Sequence, residues 1–225
     1  NDGEEITALV PFADRILQFK NNNLYVINVS QDYEYLESEN RYMGINYPYQ
    51  VCITEFGVAW VNSNGCYLYD GEQIANLILT KLNPTEIGSG ISPSWKSFIG
   101  TNGMIGYLAE LKQLIIFEDP VSVQETDAYS NVNTGGCMIY DMQTGSWTRG
   151  IKKVSSLPKS NIVSNYDDSC MFVAQVMTGS VESVVSQKIV SQNPGTDGLW
   201  VISNVEQNYG SFTDFRMRIG GTAIT

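Results

Sequence analysis

Five carboxylates, Glu55, Asp70, Glu110, Glu118 and Asp141, sit beside strand-forming runs and are the first candidates for chemistry. Two of them facing each other across a channel would supply the acid and the nucleophile or base of glycoside hydrolysis. Nothing in their spacing selects a pair, and they read first as solvated surface groups. Four tryptophans, Trp60, Trp95, Trp147 and Trp200, could stack on sugar rings, or could fill a core. Core is the favoured reading, and Trp95 is the best candidate for an exposed one, because Ser92-Pro93-Ser94 before it reads as loop.

Other chemistries are poorly supplied. The chain has no histidine, which removes the commonest general base and metal ligand along with any Ser-His-Asp or Cys-His arrangement. Gly100-Thr-Asn-Gly103-Met-Ile-Gly106 reads as a turn with no helix after it, so it is not a phosphate loop. Asp167-Asp168 and Glu118-Asp119 are too sparse for an EF-hand. The four cysteines, Cys52, Cys66, Cys137 and Cys170, include no Cys-x-x-Cys pair, and their apolar neighbours suit free buried thiols. The hairpin turn near Ser63 sets Cys66 opposite Val61 or Trp60, not Cys52. No catalytic, cofactor-binding or metal-ligating residue is assigned.

The elements that would carry these residues are strands. Hydrophobic residues make up 43% of 225 and aromatics 11%, with 13 tyrosines, while charged residues are only 16%. This balance suits half-buried sheets. Arg15-Ile-Leu-Gln-Phe-Lys20 and Leu24-Tyr-Val-Ile-Asn-Val29 flank an Asn cluster, and Gly57-Val-Ala-Trp-Val61 and Cys66-Tyr-Leu-Tyr-Asp70 flank Asn62-Ser-Asn-Gly65; both read as hairpins. Residues 121–134 read as an exposed loop. Apolar positions 74, 77, 78 and 82 predict one short amphipathic helix within 71–82, with a strand over 76–80 as the alternative. No stretch approaches the roughly 18 apolar residues of a membrane span. The chain begins at Asn1 and its last strand pattern runs to the end, which suggests a piece of a longer protein.

Hairpin centres near Asn22, Ser63, Lys112 and Asp167 recur about 41, 49 and 55 residues apart, close to the period of propeller blades. The expected fold is all-β, a single β-propeller-like domain over 1–225 with about four to five antiparallel blades; residues 178–225 form a possible extension or closing-strand region. A β-sandwich is the alternative. Tyr140-Asp-Met-Gln-Thr-Gly-Ser-Trp147 resembles the Tyr-Asp-x-x-Thr-x-x-Trp segment of kelch-type blades, and Tyr69-Asp70-Gly71 matches its first half. In kelch blades the Asp and Thr hold the turn and the Trp packs between blades.

The arrangement also resembles the propeller-type tail hub proteins of short-tailed bacteriophages, known as stabilisation, nozzle or muzzle proteins. The resemblance lies in Arg15-Ile-Leu-Gln-Phe-Lys-Asn-Asn-Asn-Leu-Tyr-Val26, in Gly57 to Gly71 with the following Ile74-Ala-Asn-Leu-Ile78, and partly in Ile202 to Ile219. In that last segment Phe212 and Thr213 stand where the family more often has a Pro and a Lys cluster. The resemblance implies a non-enzymatic virion protein. It would assemble as a homo-oligomeric ring, contact other tail and portal-adaptor proteins through edge strands and the 121–134 loop, and surround the DNA exit path. The net charge of −11 would let DNA pass without sticking. A carbohydrate-binding propeller and a glycosidase are the alternatives.

Overall fold

The computed structural model describes residues 3–78, 95–117, 136–152, 162–164, 170–178, 181–189, 200–202, 217–219 and 222–224. Among these the chain is all-β: its strands form five sheets, with one short helix, α1 (Trp95–Ile99), and a single 3-10 turn at Pro48–Gln50. The chain divides into two compact units, Asn1–Ile105 and Gly106–Thr225.

The first unit holds two four-stranded antiparallel meanders. One runs β1 (Ile6–Phe12), β2 (Arg15–Lys20), β3 (Asn23–Asn28) and β4 (Tyr35–Arg41). The other runs β5 (Val51–Thr54), β6 (Gly57–Asn62), β7 (Gly65–Tyr69) and β8 (Ile74–Asn76). Such an up-and-down four-strand sheet is the unit from which propeller blades are made. In β3 the residues alternate: Leu24, Val26 and Asn28 are buried, and Asn23, Tyr25 and Ile27 are half-buried. This two-residue period gives a sheet two unlike faces. β6 breaks the alternation, since all of Gly57-Val-Ala-Trp-Val-Asn62 is buried, as expected of a continuous apolar run with both faces covered.

The two meanders share one core. Leu17, Phe19, Leu24 and Val26 from the first meet Trp60, Tyr67 and Tyr69 from the second. Phe19 meets Trp60 edge-to-face at 5.4 Å, and Trp60 stacks on its cross-strand neighbour Tyr67 at 5.3 Å. The segment between the meanders is held by two buried amides. Asn62 donates from Nδ2 to the carbonyls of Tyr42 (3.0 Å) and Gly44 (2.8 Å). Its Oδ1 accepts from the N–H groups of Asn64 (2.8 Å) and Gly65 (3.1 Å), which forms the β6–β7 turn. Gly44 passes so close to the Lys20 carbonyl that a Cβ has no room. Gln50, 1% exposed, accepts at Oε1 from the N–H groups of Asn46 (2.8 Å) and Tyr47 (3.2 Å) and donates at Nε2 to the Thr101 and Gly103 carbonyls (3.0 and 3.3 Å).

In the second unit one sheet runs in the order β16 (Trp200–Ile202), β12 (Ser146–Lys152), β11 (Gly136–Asp141), β10 (Gln113–Phe117) and β9 (Met104–Leu108), with β9 beginning just before the unit boundary. β13 (Ile162–Ser164), β14 (Cys170–Thr178) and β15 (Val181–Ile189) form another sheet, and β17 (Met217–Ile219) pairs with β18 (Thr222–Ile224). The polar, Val-rich stretch after residue 178 thus contains β15, which pairs with β14 along the whole length of both strands.

The expected antiparallel sheets are present, and β16 adds to β12 in parallel. Two expectations are corrected. The helix expected within 71–82 does not form over its described part. Asp70 starts a turn there, and β8 takes the free edge of β7, pairing Ile74 with Tyr69 and Asn76 with Tyr67. Leu77 N–H extends the contact to the Cys66 carbonyl at 2.8 Å. A sheet edge offers these groups partners at once, whereas an isolated helix of this length is marginal. Trp95, the best candidate for an exposed tryptophan, is 2% exposed and donates its indole N–H to the Asn62 carbonyl at 2.9 Å. The loop 121–134, Glu118, the Asp167-Asp168 pair and the Gly210-Ser211 turn lie outside the described residues.

Replacing Asn62 by Ala strands the Gly44 carbonyl, leaves the Tyr42 carbonyl only its bond from Asn64, and unties the turn. Asn62→Ala is therefore expected to lower unfolding free energy by about 2–3 kcal/mol, measured by denaturant titration. Phe19→Ala is expected to cost about 3–5 kcal/mol.

Candidate interaction face

The carboxylates proposed for chemistry are found in turns. Asp70 and Asp141 each follow a tyrosine at the end of the third strand of their meander. Asp70 Oδ1 accepts from the N–H groups of Glu72 (2.9 Å) and Gln73 (2.8 Å). Asp141 Oδ1 accepts from Gln143 (3.0 Å) and Thr144 (2.8 Å), and Gly145, at φ +64, closes that turn onto the Asp141 carbonyl. These backbone donors hold both acids below the usual carboxylate range, with the Gln73 and Thr144 N–H groups as the largest influences. Asn28 occupies the same place in the first meander, where its Oδ1 accepts from Ser30 N–H at 2.9 Å. The repeated Tyr-Asp signal is a turn device. Glu55 and Glu110 are exposed in the β5–β6 and β9–β10 turns, so the four described candidates occupy four different turns.

The tryptophans divide. Trp60 is fully buried and Trp95 nearly so, so neither offers a ring face to a sugar. Trp147 packs on its cross-strand partner Tyr140, with ring centroids 5.0 Å apart. The side chain of Trp200 is outside the described residues. Cys52 and Cys66 are free thiols. The reason is geometric: Cys52 pairs with Ala59 and Cys66 with Val61, so β6 runs between them. Two strand spacings of about 4.8 Å exceed the Cα separation a disulfide tolerates. Burial pushes the Cys66 thiol up, with Cys52 a lesser influence. No group of three or more metal-ligating side chains occurs among the described residues, and none of the described helices is long and apolar enough to cross a membrane.

Sequence reasoning missed the face of the first meander that points away from the shared core. Residues paired across an antiparallel sheet lie on the same side. The pairings build two rows there: Leu9, Gln18, Tyr25 and Glu39, and Pro11, Ile16, Ile27 and Leu36. Leu9 is 58% and Leu36 55% exposed, and Ile16 and Ile27 are half-buried between them. Lys20 Nζ lies 5.3 Å above the Tyr25 ring at the margin. The signal was present in Ile16-Leu17 and Val26-Ile27, where adjacent apolar residues must point to opposite sides of a strand. One side packs on the second meander; the other presents an aliphatic strip to solvent.

No protein-family model and no curated protein matches this chain.

Two outcomes test this account. The Asp70 carboxylate ionises more readily folded than unfolded, so its contribution is complete above the ordinary Asp pKa of about 4 and is lost as pH falls through its lower folded value. Asn28 shows that a carboxamide can accept the N–H two residues on at the corresponding strand end. Asp70→Asn is expected to keep Tm near neutral pH and to show a smaller fall in Tm between about pH 5 and pH 3 than the parent, read by calorimetry. Cys66 is expected to resist iodoacetamide in the native protein and to react fully in denaturant, as peptide mass spectrometry would report.

Proposed function

We propose that this chain is a structural component of a bacteriophage tail, a propeller-type hub whose copies assemble as a ring around the DNA exit path. The observation that carries the reading is the aliphatic strip on the first meander, Leu9, Ile16, Ile27 and Leu36, on a sheet whose other face is already packed as one blade packs on the next. A face of this kind is suited to a neighbouring sheet. Support also comes from the segments around Arg15–Val26 and Gly57–Gly71, which resemble hub blades. The carboxylates with a defined environment serve as turn holders, which favours a structural role over glycoside hydrolysis. The charge of −11 favours passage of DNA over its retention, since neutralising phosphates requires an excess of Lys and Arg.

Mass photometry of the full chain is expected to show a discrete oligomer of many copies. Leu9→Glu with Leu36→Glu is expected to shift the population at least tenfold toward smaller species while circular dichroism stays unchanged. A particle that is monomeric at micromolar concentration, or an oligomer indifferent to both substitutions, would refute the reading. DNA retention in about 0.15 M salt is expected to be absent.

A further inference from the structure

A second feature of the first unit is independent of that face. A cleft of about 410 Å³ opens between the start of β1 and the segment that joins the two meanders, lined by Glu5, Thr7, Asn21, Asn46, Tyr47 and Thr101, with Ile6. Its size lies in the range of small-molecule sites. The backbone on either side of it is held by hydrogen bonds. On one side, Asn46, Tyr47 and Thr101 are all tied to the buried carboxamide of Gln50. On the other, Asn22 donates its backbone N–H (3.3 Å) and side-chain amide (2.5 Å) to Glu4, which clamps β1 to the β2–β3 turn and places Asn21 at the rim. The Tyr47 ring is backed by the buried ring of Tyr49, stacked at 5.1 Å and 13°. Beside the cleft, the Thr7 hydroxyl is enclosed without a hydrogen-bond partner, a condition that native structures rarely leave unanswered.

The chemistry of this lining narrows the occupant. Two carboxamides both donate and accept, three hydroxyls (Thr7, Tyr47 and Thr101) do the same, and one carboxylate accepts. One aromatic ring supplies an apolar plane. There is no Lys or Arg in the lining, and the chain is strongly acidic, so phosphates and acidic sugars are disfavoured. We infer that the cleft binds one neutral sugar unit, with its hydroxyls on Glu5, Asn21 and Asn46 and its C–H face against Tyr47. This goes beyond the hub reading and does not depend on it, because ligand binding and ring assembly are read by different measurements.

The test is saturation-transfer NMR on the full chain with glucose, galactose, mannose, N-acetylglucosamine and sialic acid as probes, followed by a glycan array. The expected result is transfer to at least one neutral sugar and none to sialic acid. The signal should be lost in Tyr47→Ala, retained in Tyr47→Phe, and reduced at least tenfold in affinity in Asn46→Ala and Glu5→Gln. The last two change exposed side chains, so they remain informative if Tyr47→Ala fails to fold. Absence of transfer to every neutral sugar, transfer to sialic acid alone, or transfer unaffected by Asn46→Ala and Glu5→Gln would each overturn the inference.

Discussion

The first unit depends on one carboxamide. Asn62 stands at the end of β6, where its Nδ2 reaches two carbonyls of the crossing segment and its Oδ1 closes the β6–β7 turn. Its main-chain carbonyl takes the Trp95 indole N–H. Turn, crossover and helix are therefore fastened at a residue that is 8% exposed. In such surroundings satisfied hydrogen bonds gain and orphaned ones cost, so the arrangement is close to all-or-none. Tyr42 illustrates the consequence. It adopts φ +64, unusual for a bulky residue, while its carbonyl accepts from Asn62 and also from Asn64 at 3.0 Å. The left-handed cost of roughly 1–2 kcal/mol is offset by those two bonds.

Much of this was legible in the sequence, and the reason is local. A hairpin is written in a few adjacent residues, so Asn62-Ser-Asn-Gly65 between apolar runs was enough to set Cys66 opposite Val61 or Trp60, and the pairing is with Val61. The failures were non-local. Residues 74–78 carry a spacing compatible with a helix, and only the vacant edge of β7 decides for a strand. Trp95 follows a Ser-Pro-Ser segment that reads as exposed, and only the Asn62 carbonyl, distant in sequence, supplies the partner that makes its burial favourable. The cleft was invisible for the same reason, being assembled from four separate stretches of chain.

The Tyr-Asp repeat shows how a motif that looks chemical can be mechanical. An acid that accepts two backbone N–H groups is held ionised. That is the wrong poise for a general acid, which needs a raised pKa. Asn28 accepts the N–H two residues on without any charge, so that part of the task needs an acceptor oxygen rather than a carboxylate. The surviving acidity of Asp70 and Asp141 adds to the net negative surface without committing either residue to catalysis.

How the proposed ring would be joined follows from how the first meander treats its edges. β1 is an edge strand with a register irregularity between Ile6 and Ala8, and it carries Pro11, which has no N–H to offer an incoming strand. β4, the opposite edge, has a bulge beside Leu36 and the charged residues Glu37, Glu39 and Arg41. Bulges, prolines and charges on edges are what suppress strand addition. Arg15 pairs with Glu37 at 2.8 Å, and Asn28 donates to the same carboxylate at 2.9 Å, so the bulge is anchored. With both edges blunted, a neighbour cannot extend the sheet, and the Leu9–Leu36 strip is left as the surface to cover. At about 25 cal/mol per Å² of apolar area, sheet-on-sheet stacking is the contact that gains most. In the proposed ring, copies meeting this way would repeat between chains the packing that Phe19 and Trp60 already make within one.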